Sequence, residues 1–224
     1  MLFALGQPAA FAGLLIGFLF ALVLRAYAIR VTARTLRLAD ARDSVAPRPR
    51  EDIDPFGAVA AAVGGTGWGK AIDVDEVPRG RGRGRAAAVF AAGPIVTLIV
   101  AQLCFFAYAL IFPASDQLAI YRPSDVLRGE FDDALGGQVL LGIAVGLLAF
   151  GLLALIPIPP LDGFGLLWSA MRHPGAGMQT TRLWLDHKNL GVVILLACSF
   201  FPFSYPLLLV PLDLIGTVFM RLWG

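Results

Sequence analysis

The sequence predicts an all-α fold: a polytopic helical membrane bundle with about four transmembrane helices and a re-entrant or interfacial segment. Composition is the first reason. Of the 224 residues, 58% are hydrophobic and only 15% are charged, whereas soluble domains average about 25% charged residues. The second reason is that several apolar stretches are long enough to cross a bilayer core of about 30 Å. We therefore treat residues 1–224 as a single membrane-embedded domain.

The first predicted span covers residues 8–29 and is followed by Arg30, Arg34 and Arg37. Basic residues favour the cytoplasmic end of a span, which places the N-terminus outside. A cleaved signal peptide is the competing interpretation, but no basic segment precedes the apolar run. Arg25 lies one turn inside the helix end, where its long side chain can reach the headgroups.

Residues 30–85 form a predicted basic cytoplasmic loop, because twelve of the eighteen Lys and Arg residues lie between Arg25 and Arg85. Within the loop, residues 55–65 are apolar but too short to span as a helix, so we expect a re-entrant or interfacial hairpin. Trp68 suits the membrane interface. The Arg-Gly run at residues 78–85 lacks interleaved aromatics, so we expect a flexible loop that contacts anionic lipid and no nucleic acid.

The second and third spans are predicted at residues 86–112 and 138–156, joined by an acidic loop that is expected outside. In the third span, Gly142 and Gly146 have the small-xxx-small spacing that lets helices approach closely. The fourth predicted span, residues 190–212, contains three prolines. It is therefore either a kinked helix or a span followed by a short interfacial piece.

The third span ends in the sequence Ile-Pro-Ile-Pro-Pro-Leu-Asp-Gly at residues 156–163. Three prolines stop the helix and force an extended backbone, which brings Asp162 to the membrane edge. Exposed carbonyls and a carboxylate are costly at that depth, so the stretch is typical of a functional site. The simpler alternative is that Asp162 caps a helix that begins near Phe164, with Gly163 easing the turn.

Three motifs along the chain carry a family resemblance. Their matching positions are Asp54, Pro55 and Gly57 before Gly-Trp-Gly-Lys, Gly93 and Pro94 in the second span, and Leu161, Asp162 and Gly163 after the prolines. In order and spacing they resemble the short bacterial members of the site-2 protease family, which are intramembrane zinc metalloproteases. The resemblance implies a multi-pass protein of the bacterial inner (plasma) membrane. It also implies that Asp162 corresponds to the third zinc ligand.

The first two zinc ligands of that family are the histidines of a His-Glu-x-x-His motif on the first helix. This chain has Arg25, Ala26 and Ile29 there. Histidines at i and i+4 supply two ligands from one helix face, and the glutamate takes a proton from metal-bound water. Ile29 has no lone pair, Arg25 is a cation that repels a metal, and Ala26 cannot accept a proton. The motif is degenerate, with Asp162 as the remnant ligand.

Other polar positions of the family's pattern also differ. Asp52 stands where a histidine often precedes Ile-Asp-Pro, and Thr97 and Ala154 stand where asparagines are usual. His173 and His187 are the only histidines, and they lack any standard ligand spacing. We therefore expect no cofactor, with zinc bound only if displaced ligands hold it.

In the family's geometry the first helix end and the Leu-Asp-Gly turn face each other across the zinc. We therefore expect Arg25 to pair with Asp162, since a carboxylate near an arginine keeps its charge at lower cost.

Two functions of different kinds are compatible with these residues. The favoured one is a pseudoprotease that binds transmembrane helices of other proteins, or an active paralogue. Its expected partner groove consists of Pro157, Ile158, Pro159, Pro160, Leu161 and Gly163. The alternative is an active intramembrane zinc metalloprotease with displaced ligands. A small transporter is less favoured, because Asp162 is the one acidic residue near membrane depth and no inverted repeat is visible.

The charge distribution predicts that Gly82 lies in the cytoplasm and that Asp125 lies outside. Cysteine labelling or reporter fusions at these two positions measure the side on which each one lies. Detection of Gly82 on the outer face would overturn the predicted orientation of every span.

Overall fold

The computed structural model describes residues 1–39, 44–200 and 205–224, which form helices and no β-strand. This confirms the predicted all-α class. The α-helices α1 to α11 of these residues are Pro8–Thr35, Pro49–Asp52, Pro55–Gly64, Arg83–Ile111, Gln117–Ile120, Pro123–Arg128, Leu135–Ala154, Asp162–Ala170, Ala176–Arg182, Leu190–Phe200 and Leu209–Arg221. A π-helical turn, Leu183–His187, follows α9. Residues 40–43 of the predicted basic loop and 201–204 of the predicted fourth span lie outside the described residues.

Three helices, α1, α4 and α7, are long and apolar enough to cross a membrane. A fourth span results if α9, the π-helical turn and α10 are counted together, although the pair is bent by 66°. These helices indicate a membrane protein. The 28 residues of α1 correspond to about 42 Å, more than the roughly 30 Å of a hydrocarbon core, so its final turns extend beyond that core.

Helix α7 is central: 78% of its most apolar stretch is buried, compared with 50% of that stretch in α1 and 28% in α4. Close packing on α1 depends on glycine. A Cβ at Gly13 would lie 2.4 Å from the carbonyl oxygen of Val139, and one at Gly142 would lie 3.1 Å from that of Ala10. The small-xxx-small spacing of Gly142 and Gly146 therefore faces α1, a partner within the same chain.

The apolar segment 55–65 forms one short helix, α3, instead of a hairpin. Asp54 caps it by accepting hydrogen bonds from the amides of Phe56 and Gly57, and Pro55 occupies its first position. Gly65 ends the helix in the left-handed conformation, with φ of 88°. An isolated antiparallel β-bridge between Ile53 and Gly69 joins the residues on either side of this segment, so the chain before α3 lies next to the chain after it.

Trp68, which was expected to suit the membrane interface, is enclosed by protein. Its side chain is 2% exposed and packs with Ala60, Leu161 and Leu195. The backbone at Gly57 makes this position possible, because a Cβ there would lie 2.0 Å from the carbonyl oxygen of Trp68. Small residues in α3 thus accommodate an indole that a sequence pattern assigns to the interface.

The predicted basic loop is more helical than expected. Helix α1 continues to Thr35, α2 and α3 follow, and the Arg-Gly run contains a short 3₁₀ turn, Arg79–Arg81, before α4 begins at Arg83. Residues 70–77 pass beside the C-terminal end of α1. This path brings them close to the site described below.

The predicted fourth span, residues 190–212, does not form one helix. Helix α10 has 11 residues, about 16 Å, and α11 begins only at Leu209. Helix α11 packs on α6, where a Cβ at Gly216 would lie 2.8 Å from Cγ of Pro123. Pro206 lies between the two helices, where a residue without an amide donor interrupts helix continuation.

Candidate functional site

The expected pairing of Arg25 with Asp162 is confirmed. Arg25 Nε donates to Asp162 Oδ2 at 2.6 Å, and Arg25 Nη2 donates to Oδ1 at 2.5 Å. Arg25 is 5% exposed and Asp162 is 4% exposed. This two-point geometry matches the planar fork of a guanidinium to the two oxygens of a carboxylate. Both oxygens of Asp162 are therefore engaged by one protein cation.

Two further elements, the segment after α3 and helix α4, enclose the arginine. Arg25 Nη1 donates to the carbonyl oxygen of Lys70 at 3.1 Å, which connects α1 to the extended segment after α3. On the other side, a Cβ at Gly93 of α4 would lie 2.7 Å from Arg25 Cγ. The absence of that side chain lets α4 approach α1. Gly69 also lies close to the guanidinium, since a Cβ added at this position would lie 3.0 Å from Arg25 Nη1.

The structure overturns the alternative in which Asp162 caps the next helix. Asp162 is the first residue of α8, and the N-cap position belongs to Leu161. No side-chain capping hydrogen bond is made at this helix start. The Asp162 carboxylate nevertheless lies at a helix N-terminus, where the partial positive charge of the backbone amides stabilises an anion. Gly163 is required by space, because a Cβ there would lie 2.2 Å from the carbonyl oxygen of Leu155.

The other two degenerate motif positions are occupied by packing residues. Ala26 is 6% exposed and Ile29 is 5% exposed. Ile29 belongs to an apolar cluster with Val89, Phe90 and Phe164. A hydrocarbon side chain in that cluster offers no electron pair to a metal and no base to a water molecule. The positions that carry the ligands and the base in the resembled motif therefore stabilise the contact among α1, α4 and α8.

The residues present do not fit a catalytic zinc. Such an ion needs about three protein ligands and an open position for water. Asp162 is the one donor residue at the three ligand positions, and Arg25 engages both of its oxygens. In the described ranges 1–39, 44–200 and 205–224, no group of three or more His, Cys, Asp and Glu residues could hold a metal ion. His173 and His187 are both exposed.

Asp52, where a histidine is common in the resembled family, has its own arginine. Arg30 Nη2 donates to Asp52 Oδ1 at 2.5 Å and Nη1 donates to Oδ2 at 3.1 Å. The backbone amide of Arg48 also donates to Asp52. A second ion pair thus lies just beyond Arg25, one that the sequence analysis missed. The sequence shows Arg25 and Arg30 five residues apart on the first helix. It does not show that Asp52 folds back against that helix.

The remaining motif residues have structural roles in this chain. Asp54, Pro55 and Gly57 build the start of α3 and its contact with Trp68, as described above. Pro94 lies inside α4 and is buried. Thr97 is also buried and donates its hydroxyl to the carbonyl oxygen of Gly93 at 2.8 Å. This is the bond that a helical threonine makes to the carbonyl four residues earlier, and it gives the buried Thr97 hydroxyl a partner.

The proline turn after α7 is only partly accessible. Pro159, Leu161 and Gly163 are buried, Ile158 and Pro160 are half-buried, and Pro157 is exposed. Helix α10 covers the buried part, because a Cβ at Gly191 would lie 2.0 Å from the carbonyl oxygen of Pro159. Leu195 of α10 packs in the same cluster as Leu161. An accessible edge thus remains at Pro157, Ile158 and Pro160.

Comparison with known proteins gives one informative similarity. The chain is 29% identical over 119 residues to a protein of Bacillus subtilis (strain 168) named "Putative zinc metalloprotease YwhC". The matched region is 53% of this chain and 50% of that protein, so the chain spans about half the length of the curated relative it matches. No family model and no solved structure matches the chain. The similarity indicates a relationship to a zinc metalloprotease-like protein.

Removing one partner of the buried ion pair should destabilise the protein strongly. We expect Asp162→Asn or Arg25→Met to lower the free energy of unfolding by about 3–5 kcal/mol, because each leaves a buried charge unpaired. The double variant should lower the free energy of unfolding by less than the sum of the two single changes. Denaturant unfolding in detergent measures all three. Glu51→Ala is the control, since it removes one side of an exposed pair and should cost under about 1 kcal/mol. Equal effects at both pairs would contradict the expected result.

Proposed function

We propose that this protein is a catalytically inactive member of the site-2 protease family, which binds transmembrane segments of other proteins without cleaving them. The observation that carries the proposal is the two-point Arg25–Asp162 pair. It occupies the carboxylate that corresponds to the third zinc ligand of the resembled motif. The similarity to a protein named as a zinc metalloprotease supports the kinship, and the three long apolar helices support a membrane location.

The ligand set argues against the alternative, a working protease with displaced ligands. Hydrolysis by a zinc enzyme needs a metal-bound water and a base that takes its proton. Arg25 is a cation with no free electron pair, and Ile29 and Ala26 are aliphatic. A replacement site would need three donors close together, and the described residues contain no such group. Binding is therefore the function that this arrangement supports best.

The binding role rests on the proline turn. Pro157, Pro159 and Pro160 lack amide donors, so the backbone carbonyls around them cannot all be satisfied by a regular helix. Within the turn, the carbonyl oxygens of Ile156 and Ile158 already accept hydrogen bonds from the amides of Ile158 and Leu161. The carbonyl of the exposed Pro157 is the one that we propose to pair with an amide of a locally unwound partner strand. Pro157 and the half-buried Ile158 form the accessible edge. Other membrane proteins, including an active paralogue, are the proposed partners.

The first prediction is that the purified protein contains no stoichiometric zinc. Elemental analysis of detergent-purified protein measures this directly. The variant Arg25→His, Ala26→Glu, Ile29→His is the matched comparison, because it returns two ligands one helical turn apart and frees Asp162. We expect it to bind about one zinc per chain. One zinc in the unmodified protein, lost on Asp162→Ala, would overturn the pseudoprotease proposal and favour displaced ligands.

The second prediction concerns the partner edge. A photo-crosslinking residue at Ile158 should capture a defined transmembrane protein in native membranes. Mass spectrometry identifies the captured protein, and the crosslinked product should be missing when the gene for that protein is deleted. The control position is Leu103 of α4, which is 60% exposed but lies away from the proline turn. Capture of the same protein from both positions, or of lipid alone from Ile158, would contradict partner binding at this edge.

A further inference from the structure

A cavity of about 430 Å³ opens above the ion pair, between the end of α1, the residues around α2 and the extended segment 70–77. Arg25 contributes to its floor. Its basic lining residues beyond the floor are Arg30, Arg34, Arg48 and Lys70, and its acidic ones are Glu51, Asp52 and Glu76. The volume is within the range of about 300–1,000 Å³ that is usual for small-ligand sites.

Ion pairing inside the lining leaves an excess of positive charge. Asp52 is engaged by Arg30, and Glu51 is engaged by Arg48 at 3.0 Å. The side chains of Arg34 and Lys70 are exposed, and neither makes a salt bridge within the described ranges. Among the lining residues that the structure describes, which exclude residues 40–43, two cations therefore face the cavity against one further carboxylate, that of Glu76. Such an arrangement favours an anionic ligand.

The position along α1 indicates the source of that anion. Arg34 follows the buried Arg25 by nine residues, about 13 Å along the helix axis, at the end of a helix longer than a hydrocarbon core. The cavity therefore lies at the level of the lipid headgroups. Its lining also includes the apolar residues Ile72, Val77 and Val89. A basic pocket with apolar walls at this depth suits a phospholipid better than a free, fully hydrated anion.

We propose that this cavity binds the phosphate headgroup of an anionic phospholipid, with Arg34 and Lys70 contacting the phosphate and the apolar wall contacting the adjacent glycerol and acyl groups. The proposal goes beyond the partner-binding function and does not depend on it. The lipid would lie directly above the Arg25–Asp162 pair, because the carbonyl oxygen of Lys70 accepts a hydrogen bond from Arg25.

Native mass spectrometry of the detergent-purified protein, titrated separately with phosphatidylglycerol and phosphatidylcholine, tests this proposal. We expect preferential binding of phosphatidylglycerol. The double variant Arg34→Gln, Lys70→Gln should weaken that binding about 30-fold, the loss expected for two cations near an anionic headgroup. Arg83→Gln is the matched control: it removes an exposed cation on the same side that does not line the cavity, and it should leave the affinity unchanged.

Thermal unfolding of each variant confirms that these exposed substitutions leave the fold intact. Equal binding of the two lipids, or an equal loss in Arg83→Gln, would overturn the proposal. A further titration uses inorganic phosphate, which should not displace phosphatidylglycerol. If inorganic phosphate displaces it and the double variant abolishes that competition, the cavity is a site for soluble phosphate compounds and the lipid proposal is wrong.

Discussion

A buried carboxylate needs a positive charge beside it, and the structure around Asp162 is organised by that requirement. Arg25 supplies the charge and binds both carboxylate oxygens. Through this one contact α1, the segment at Lys70 and α8 are held together, while Gly93 lets α4 approach. In a zinc enzyme a metal ion would neutralise the same carboxylate and leave one coordination position open. A guanidinium neutralises the charge without providing such a position, which supports the proposal that the chain binds membrane segments without cleaving them.

The residues around Asp162 are consistent with one another, and they support the inactive, binding role proposed above. Ile29 joins an apolar cluster, and Thr97 donates its hydroxyl to the backbone of its own helix. Asp52 pairs with Arg30 one turn farther along α1. Each polar position of the resembled motif has thus acquired a partner within the chain or become apolar. An arginine that had simply replaced one ligand would leave the remaining polar groups of the site unsatisfied, at a cost in stability.

Composition and apolar length predicted the helical membrane class, because both are local properties of the sequence. The geometry implied by the family resemblance predicted that Arg25 would meet Asp162. Features that depend on distant packing were missed. Trp68 was assigned to the membrane interface by its residue type, yet the small side chains of α3 bury it. Prolines indicated an interruption in residues 190–212, but not that two separate helices would result. The cavity beside Lys70 arises where the end of α1, the residues around α2 and the segment 70–77 fold together, so no local pattern records it.

Helix α10 has a consequence for how tightly any partner can bind the proline turn. Its Gly191 lies against the carbonyl oxygen of Pro159, so the chain carries its own occupant for much of that surface. An occupant tethered through the bend near Asn189, which has a positive φ of 54°, competes at a high effective concentration. A partner that extends from the accessible edge onto this covered surface would have to displace α10, and its apparent affinity would be its intrinsic affinity multiplied by the fraction of molecules in which α10 has moved away. Under the proposed function, transmembrane segments confined to the same bilayer would meet this competition far better than peptides supplied from solution.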